Sequence, residues 1–286
     1  MDNVNERKPI RSARSVGMFL KRGMCSEAMF AIINNAYGHP LLEEEKASQP
    51  LVGGILQHGY QCGMVWGAAF GAGAEAFRRF GSGSEAVGRT IYASQRATDA
   101  FRELHDTIDC YDITGMSTDT SAWEMAKYFF LKGGTVRCFS KIAGSARVAF
   151  PEIERALSDP AFDCSTPCKS CASVVAKRLG LSDQHATMAA GLAGGIGLSG
   201  GACGALGAAI WAIELKRVQG GGKVNFQSSE ARALIERFIK ASDFEFLCEK
   251  IVGRRFGSID DHTQWMDESG CAAIIDALTS APEGSS

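Results

Sequence analysis

The stretch Gly194-Gly195-Ile196-Gly197-Leu198-Ser199-Gly200-Gly201-Ala202-Cys203-Gly204-Ala205-Leu206-Gly207 packs seven glycines and one cysteine ahead of the apolar run 208–215, which reads as a helix. A second copy lies upstream. Aligned on the cysteine, Gly53-Gly54-Ile55 matches Gly194-Gly195-Ile196, Gly59 matches Gly200, and Cys62-Gly63 matches Cys203-Gly204. Six identities at fixed offsets, in two places, are hard to attribute to composition. The stretch lacks the Gly-Lys-Ser/Thr ending of a phosphate loop and comes after a helix rather than a strand, so that meaning is set aside. The chain reads as an internal duplication whose function sits at its cysteines.

Four cysteines correspond between the halves. Cys25, Cys62, Cys110 and Cys138 are separated by 37, 48 and 28 residues, and Cys171, Cys203, Cys248 and Cys271 by 32, 45 and 23. Cys25 and Cys171 each begin a predicted helix that ends at a glycine, Gly38 or Gly180. Cys110 and Cys248 are expected near the end of a charged helix, and Cys138 and Cys271 at the start of an apolar one. Four thiolates spread over four elements make the ligand count of an iron–sulfur cluster or a structural zinc. Dispersed single cysteines require the helices to preorganise the site, which also shields it from water.

The glycines have two readings. Gly54, Gly59, Gly195 and Gly200, ahead of each cysteine, allow unusual backbone angles and bring N–H groups toward sulfur, where they stabilise thiolate or sulfide charge. The alternative is close helix packing, and for those ahead of the cysteine both readings stand. Gly63 and Gly204 come directly after the cysteines, where packing is the simpler role, although they are candidates for the cofactor's surroundings too. A cysteine at a helix N-terminus also has a lowered pKa and ligates or reacts more readily.

A chain of 286 residues is long enough for one large domain or two small ones. The boundary is placed at the Asp159-Pro160 break, giving one repeat over 1–160, with a loose arm at 1–16, and a second over 161–286. Helices are expected over 25–36, from the acidic run at 43–45 toward Leu56, over 62–80, 85–110, near 123–131, from Cys138 toward Ala149, and over 151–159. In the second half they are expected over 171–179, from an N-cap at Ser182 to Leu192, from Cys203 to Val218, from Ser228 or Ser229 to Lys240, over 244–253 and over 269–278. Small residues in 62–80, among them Gly63, Gly67 and Gly71, invite another backbone to approach. The tail from Ala281 is expected to fray. No alternating strand and no βαβ pattern occurs. The reading is all-α: two tandem helical-bundle repeats related by pseudo-two-fold symmetry, packed as two copies of a single-unit relative would pack.

A formal charge of −2 gives no footprint for nucleic acid. The polar N-terminus has no apolar signal core, and no uncharged run reaches membrane-spanning length, so the expectation is a cytoplasmic protein without membrane insertion. In a reducing compartment ten cysteines argue for metal ligation or thiol chemistry rather than a disulfide framework.

The register resembles the C-GCAxxG-C-C family of redox-active proteins, which have four spaced cysteines around a Cys-Gly-Ala-x-x-Gly core. One family unit is about half this chain, so the resemblance covers nearly all of it as two tandem units. The first copy reads Cys62-Gly63-Met64-Val65-Trp66-Gly67, with methionine for alanine. The second reads Cys203-Gly204-Ala205-Leu206-Gly207-Ala208, with its last glycine one position early. Related domains occur in split-Soret cytochromes, where the module carries an iron–sulfur cluster. The resemblance therefore implies cluster binding through the eight register cysteines, with a two-iron centre ahead of a four-iron one. No Cys-x-x-Cys-His occurs, so covalent c-type haem is not supported.

Cys164, Cys168 and Cys171 form Cys-x₃-Cys-x₂-Cys, the spacing of radical S-adenosylmethionine enzymes, but the sequence after Cys171 is helical in pattern and gives no βα barrel. Cys164 and Cys168 are then candidates to supplement Cys171 or to form a separate exposed thiol site. His58 is a further candidate ligand, four residues before Cys62, although its counterpart is Ser199. The pair His105 and Asp109 is expected on one helix face beside Cys110, and Trp66, Trp123, Trp211 and Trp265 are read as core. The leading function is an iron–sulfur redox protein that carries electrons or supports reduction of a partner protein or small molecule, with one cluster per repeat or one shared. The alternative is a zinc-binding or thiol-regulated structural module. A third is an oxidoreductase with chemistry at an open iron site. Nothing in the sequence names a substrate.

Overall fold

The computed structural model of the chain describes residues 10–121, 123–124, 127, 134–164, 166–225 and 228–280. The first half carries α1 (Ser12–Arg22), α2 (Cys25–Tyr37), α3 (Leu42–Ala47), α4 (Gly63–Phe80), α5 (Ser84–His105), α6 (Cys110–Thr114) and α7 (Gly134–Leu157). The second carries α8 (Cys171–Arg178), α9 (Asp183–Ala190), α10 (Gly204–Gln219), α11 (Ser229–Ala241), α12 (Cys248–Val252), α13 (Ile259–Asp267) and α14 (Ala272–Thr279). Among the described residues there is no strand, only the isolated bridges Gln61↔Asp109 and Ala202↔Leu247. No described helix is long and apolar enough to cross a membrane. The chain is all-α.

In the first half α4 packs on α2 and α5, and α5 on α7; in the second, α10 packs on α8, and α11 on α14. α2 is buried nearly all round, with Ala28, Phe30, Ala31 and Ile33 fully enclosed, as expected of a helix apolar on every face. Gly63, Gly67 and Gly71 lie one turn apart on α4. A Cβ at Gly63 would meet Ser26, at Gly67 the Ser26 and Phe30 backbone, and at Gly71 the Ile33 side chain. The small-residue stripe thus lets α4 lie directly against α2.

The glycine stretches form the least ordinary backbone in the chain. Gly53, Gly54, Ile55, Leu56 and Gln57 run consecutively at φ of 67, 74, 59, 48 and 67°, and Gly194, Gly195, Ile196, Gly197 and Leu198 at 60, 77, 69, 55 and 60°. Each is a turn of left-handed helix, which costs a non-glycine residue about 1–2 kcal/mol. Burial holds it in place, since Ile55 and Ile196 are fully enclosed. The hydrogen bonds repeat as well. Leu56 N donates to Pro50 O at 2.7 Å and Gly59 N to Gly53 O at 2.9 Å, while Gly197 N donates to Gly191 O at 2.8 Å and Gly200 N to Gly194 O at 3.0 Å.

The halves meet through corresponding elements. α9 packs on α4, and its counterpart α3 packs on α10. Three pairs of equivalent positions touch each other. Gln61 Nε2 donates to Ala202 O at 3.3 Å and Gln61 Oε1 accepts from Ala202 N at 3.0 Å. The Trp66 ring fills the space over Gly207, and the rings of Phe70 and Trp211 lie 4.6 Å apart. Residues near a two-fold axis meet their own counterparts, and these three contacts are of that kind.

Several boundaries differ from the expectations. Residues 12–16 of the expected loose arm belong to α1, which packs on α2 and α7 with Phe19 edge-on to Phe139 at 5.1 Å. The helix expected to reach Leu56 stops at Ala47, succeeded by the 3-10 turn Gln49–Leu51 and the left-handed turn. α5 stops at His105 rather than Cys110, because Asp106 turns left-handed at φ 63° and the chain extends to pair with Gln61. α7 runs through Pro151 without a break. α13 lies where no helix was expected. Residues 1–9, most of the helix expected near 123–131, Gly133 and the tail from 281 lie outside the described residues. Trp66 and Trp211 are core and Trp265 is half-buried, but Trp123 is 71% exposed.

Gly195→Ala would set a Cβ against Gly201 O at φ +77°, whereas Gly253→Ala would meet nothing within 4 Å at φ +79°. The first should lose about 3 kcal/mol or more, and the second about 1 kcal/mol. Urea midpoints measure both, and equal losses would refute the close-approach account of the turn.

Candidate metal or redox site

Each register cysteine stands at or near the start of a helix. Cys25, Cys110, Cys171 and Cys248 are the first residues of α2, α6, α8 and α12. Cys62, Cys203 and Cys271 are the N-caps of α4, α10 and α14. Cys138 is the fifth residue of α7. Cys110 and Cys248 therefore open short helices rather than closing long ones. The bridge beside each pair is the reason. Cys62 N donates to Ile108 O at 2.7 Å and Cys110 N to Tyr60 O at 2.7 Å, pinning Cys62 beside Cys110. The second half repeats this, with Cys203 N on Phe246 O at 2.8 Å and Cys248 N on Gly201 O at 2.7 Å.

In the first half Cys25, Cys62, Cys110 and Cys138 all line one cavity of about 540 Å³. Its walls are mainly apolar, with Phe19, Val52, Met64, Phe101 and Ile113, and Lys141 is the cation at its edge. In the second half the four thiols act on one another electrostatically: Cys248 is pushed up by burial and then by Cys203, Cys171 and Cys271. Among the described residues, no three His, Cys, Asp or Glu side chains stand close enough to hold a single metal ion.

Sulfur receives backbone donors from two sources. The Gly53 N–H points to Cys25 and the Gly194 N–H to Cys171, at equivalent positions in the two turns. The first turn of the adjoining helix supplies more, from Ser26 to Cys25, Met64 to Cys62, Ala172 to Cys171, and Leu206 and Ala205 to Cys203. The anticipated glycine role is thus filled by Gly53 and Gly194, one position ahead of Gly54 and Gly195. Gly54 and Gly195 instead press on the backbones of Tyr60 and Gly201, and Gly204 on Leu192 O. Gly59 and Gly200 pack on Tyr111 and Glu249 and accept their N–H groups through their carbonyls. Gly63 does reach the site, since a Cβ there would lie 2.6 Å from Cys25 Sγ.

Burial keeps most of these thiols protonated. Cys110 and Cys203 are pushed up to about 12 and Cys138 to about 11, each chiefly by burial. Cys25 is the exception. The Cys62 thiol donates to it and, with the Gly53 and Ser26 N–H groups, outweighs burial and holds it below the usual thiol range. Cys62 is raised in turn.

Three residues near the sulfurs were not found in the sequence. Trp265 Nε1 donates to Cys271 Sγ at 3.4 Å. Thr114 Oγ1 lies 3.8 Å from Cys110 Sγ. Lys141, one turn after Cys138, lines the cavity and has its Nζ 3.3 Å from His105 Nδ1. His105 also meets Ser145 Oγ at 2.9 Å, but Asp109 is not on its helix, because α5 has ended. His58 stacks on Phe246 at 5.5 Å between the halves and does not line the cavity. Cys164 and Cys168 are bonded to each other in a disulfide. In that state neither offers a thiolate to the site of Cys171.

The fold and site define an all-α protein built from two tandem units, each bringing four cysteines to helix starts. The family described as "Putative redox-active protein (C_GCAxxG_C_C)" matches residues 24–149 and again residues 162–281, and the chain belongs to it as two consecutive units. No curated protein and no solved structure matches the chain.

In metal-free protein the raised thiols carry a signed pH dependence. Unfolded thiols ionise near about 8.5, while folded Cys110 and Cys203 keep their protons to about 12. Above the unfolded value the unfolded state binds fewer protons, so stability falls as pH rises, by up to about 1.4 kcal/mol per pH unit for each such group. Thermal midpoints between pH 7 and 10.5 should decline, and Cys110→Ala should decline less steeply. An identical slope in the variant would contradict the assigned burial effect.

Proposed function

We propose that each unit, 1–160 and 161–286, binds one iron–sulfur cluster and that the protein is a carrier of electrons. The observation that carries the reading is the convergence of Cys25, Cys62, Cys110 and Cys138, from four separate elements, on one cavity of about 540 Å³. The donor set fits such a group, being four cysteine sulfurs, the usual ligand set of an iron–sulfur centre. Cys171, Cys203, Cys248 and Cys271 would hold the second cluster. A bound cluster would supply a one-electron redox couple. The chain's own part is to exclude water with the apolar wall and to offset thiolate charge through the Gly53 and Gly194 N–H groups and helix starts. The partner is a redox protein or a small molecule.

A structural zinc is the second reading. It needs four sulfurs at about 2.3 Å from one ion. The cavity of about 540 Å³ that the four first-half cysteines share offers room for a centre larger than one ion. The two-iron type is carried over from the family resemblance.

Anaerobically purified protein should be brown, contain iron with acid-labile sulfide, and bleach on dithionite. Cys203→Ala should remove about half the iron, since the first site keeps all its ligands. Loss of all iron would indicate one shared cluster, and colourless protein with stoichiometric zinc would overturn the reading. Electron paramagnetic resonance of the reduced protein, with the iron count, separates two-iron from four-iron centres.

A further inference from the structure

The connection between the halves carries the two cysteines that the repeat does not use. Cys164 and Cys168 are bonded, with Cα atoms 6.4 Å apart. The sulfurs rest on α5 at Gly88, where a Cβ would lie 2.6 Å from each Sγ. The segment is also held without the bond. The Phe162 ring stacks on Tyr92 with centroids 5.6 Å apart, and Arg89 lies over its face at 4.9 Å. Cys168 N donates to Ser84 Oγ, and Lys169 N donates to Thr263 Oγ1 at 3.1 Å. Both ends of the disulfide lie on this one segment, so the bond ties no two helices together. Its short ring restrains the unfolded chain least, because loop-closure entropy grows with loop length. A stabilising staple therefore accounts for little.

The two sulfurs differ in exposure. Cys164 is half-buried, and Cys168 lines a surface recess of about 280 Å³ shared with Ser84, Pro167 and Lys169. Cys171, three residues on, does not line it.

We propose that Cys164 and Cys168 form a second redox centre, a thiol–disulfide exchange pair at the junction of the halves whose substrates are external thiols. In the reductive direction an external thiolate attacks Cys164 Sγ. The bond to Cys168 breaks, and the Cys168 sulfur leaves with the electron pair and takes up a proton. A second external thiol, as its thiolate, attacks the external sulfur of the mixed disulfide and frees Cys164, which is protonated in turn. Two external thiols become one disulfide, and two electrons and two protons pass to the pair. The reverse sequence, with an external disulfide as oxidant, restores the bond. Gly88 sets the fit, because two unbonded sulfurs stand farther apart than bonded ones and α5 presents no side chain against either state.

The test uses native full-length protein equilibrated anaerobically in glutathione buffers stepped from oxidised to reduced. Thiols and disulfides are trapped with isotopically distinct alkylating reagents and assigned by peptide mapping. Cys164 and Cys168 should convert together between bonded and free states within the range of the buffers. Cys164→Ser should leave Cys168 as a mixed disulfide with glutathione on the oxidised side. Gly88→Ala should shift the half-conversion ratio several-fold. A pair that stays bonded at the most reducing ratio is an inert structural disulfide, and one that stays free at the most oxidising ratio is no exchange pair. Either result overturns the proposal, and the unsubstituted protein decides it even where a variant fails to fold.

Discussion

A left-handed turn anchored by a fully buried isoleucine is the constraint on which each half depends. It holds five consecutive residues at positive φ, presents the Gly53 or Gly194 N–H to the sulfur that opens an earlier helix, and precedes Cys62 or Cys203 at the start of the next. Ile55 and Ile196 show how it is maintained. A β-branched residue is poorly suited to positive φ, and it stays there because its side chain is enclosed by the core. The strain and the packing hold each other in place, so the loop is part of the scaffold.

Much of this was legible in the sequence because the repetition was. The six identities around Cys62 and Cys203 located both turns, and the cysteine register grouped the four thiols that share the first cavity. The stripe Gly63, Gly67 and Gly71 announced the contact of α4 with α2 through its one-turn spacing. What the sequence withheld depended on tertiary contacts. α5 ends at His105 through a left-handed Asp106, with no glycine to mark it, and through the pairing of Asp109 with Gln61. Nor does a pattern separate Gly53 from Gly54 as the donor to sulfur, since the choice rests on how the turn lies over α2. Trp265 and Lys141 reach their sites by proximity in space or by one helical turn, without a motif. Trp123 was misread because aromatic content alone does not distinguish core from surface.

The thiols differ in ways that bear on assembly of any centre. Burial disfavours a cluster of bare thiolates, so the neutral form prevails until a cation compensates the charge. Cys25 departs from this because Cys62 donates to it, which holds its thiol below the usual range. The junction with the Cys164–Cys168 bond adds a sulfur pair of another kind, seated on a backbone instead of in a cavity.

The contact of Trp66 with Gly207 says something about the history of the chain. A pair of identical subunits must place the same side chain on both sides of its axis, and two tryptophans would collide where a ring now rests on a bare Cα. Phe70 against Trp211 and the single amide of Gln61 clasping Ala202 are unequal in the same way. Such complementarity requires the two copies to differ in sequence at the positions that meet. The first unit, cut loose, would therefore be a poor partner for itself and a good one for the second.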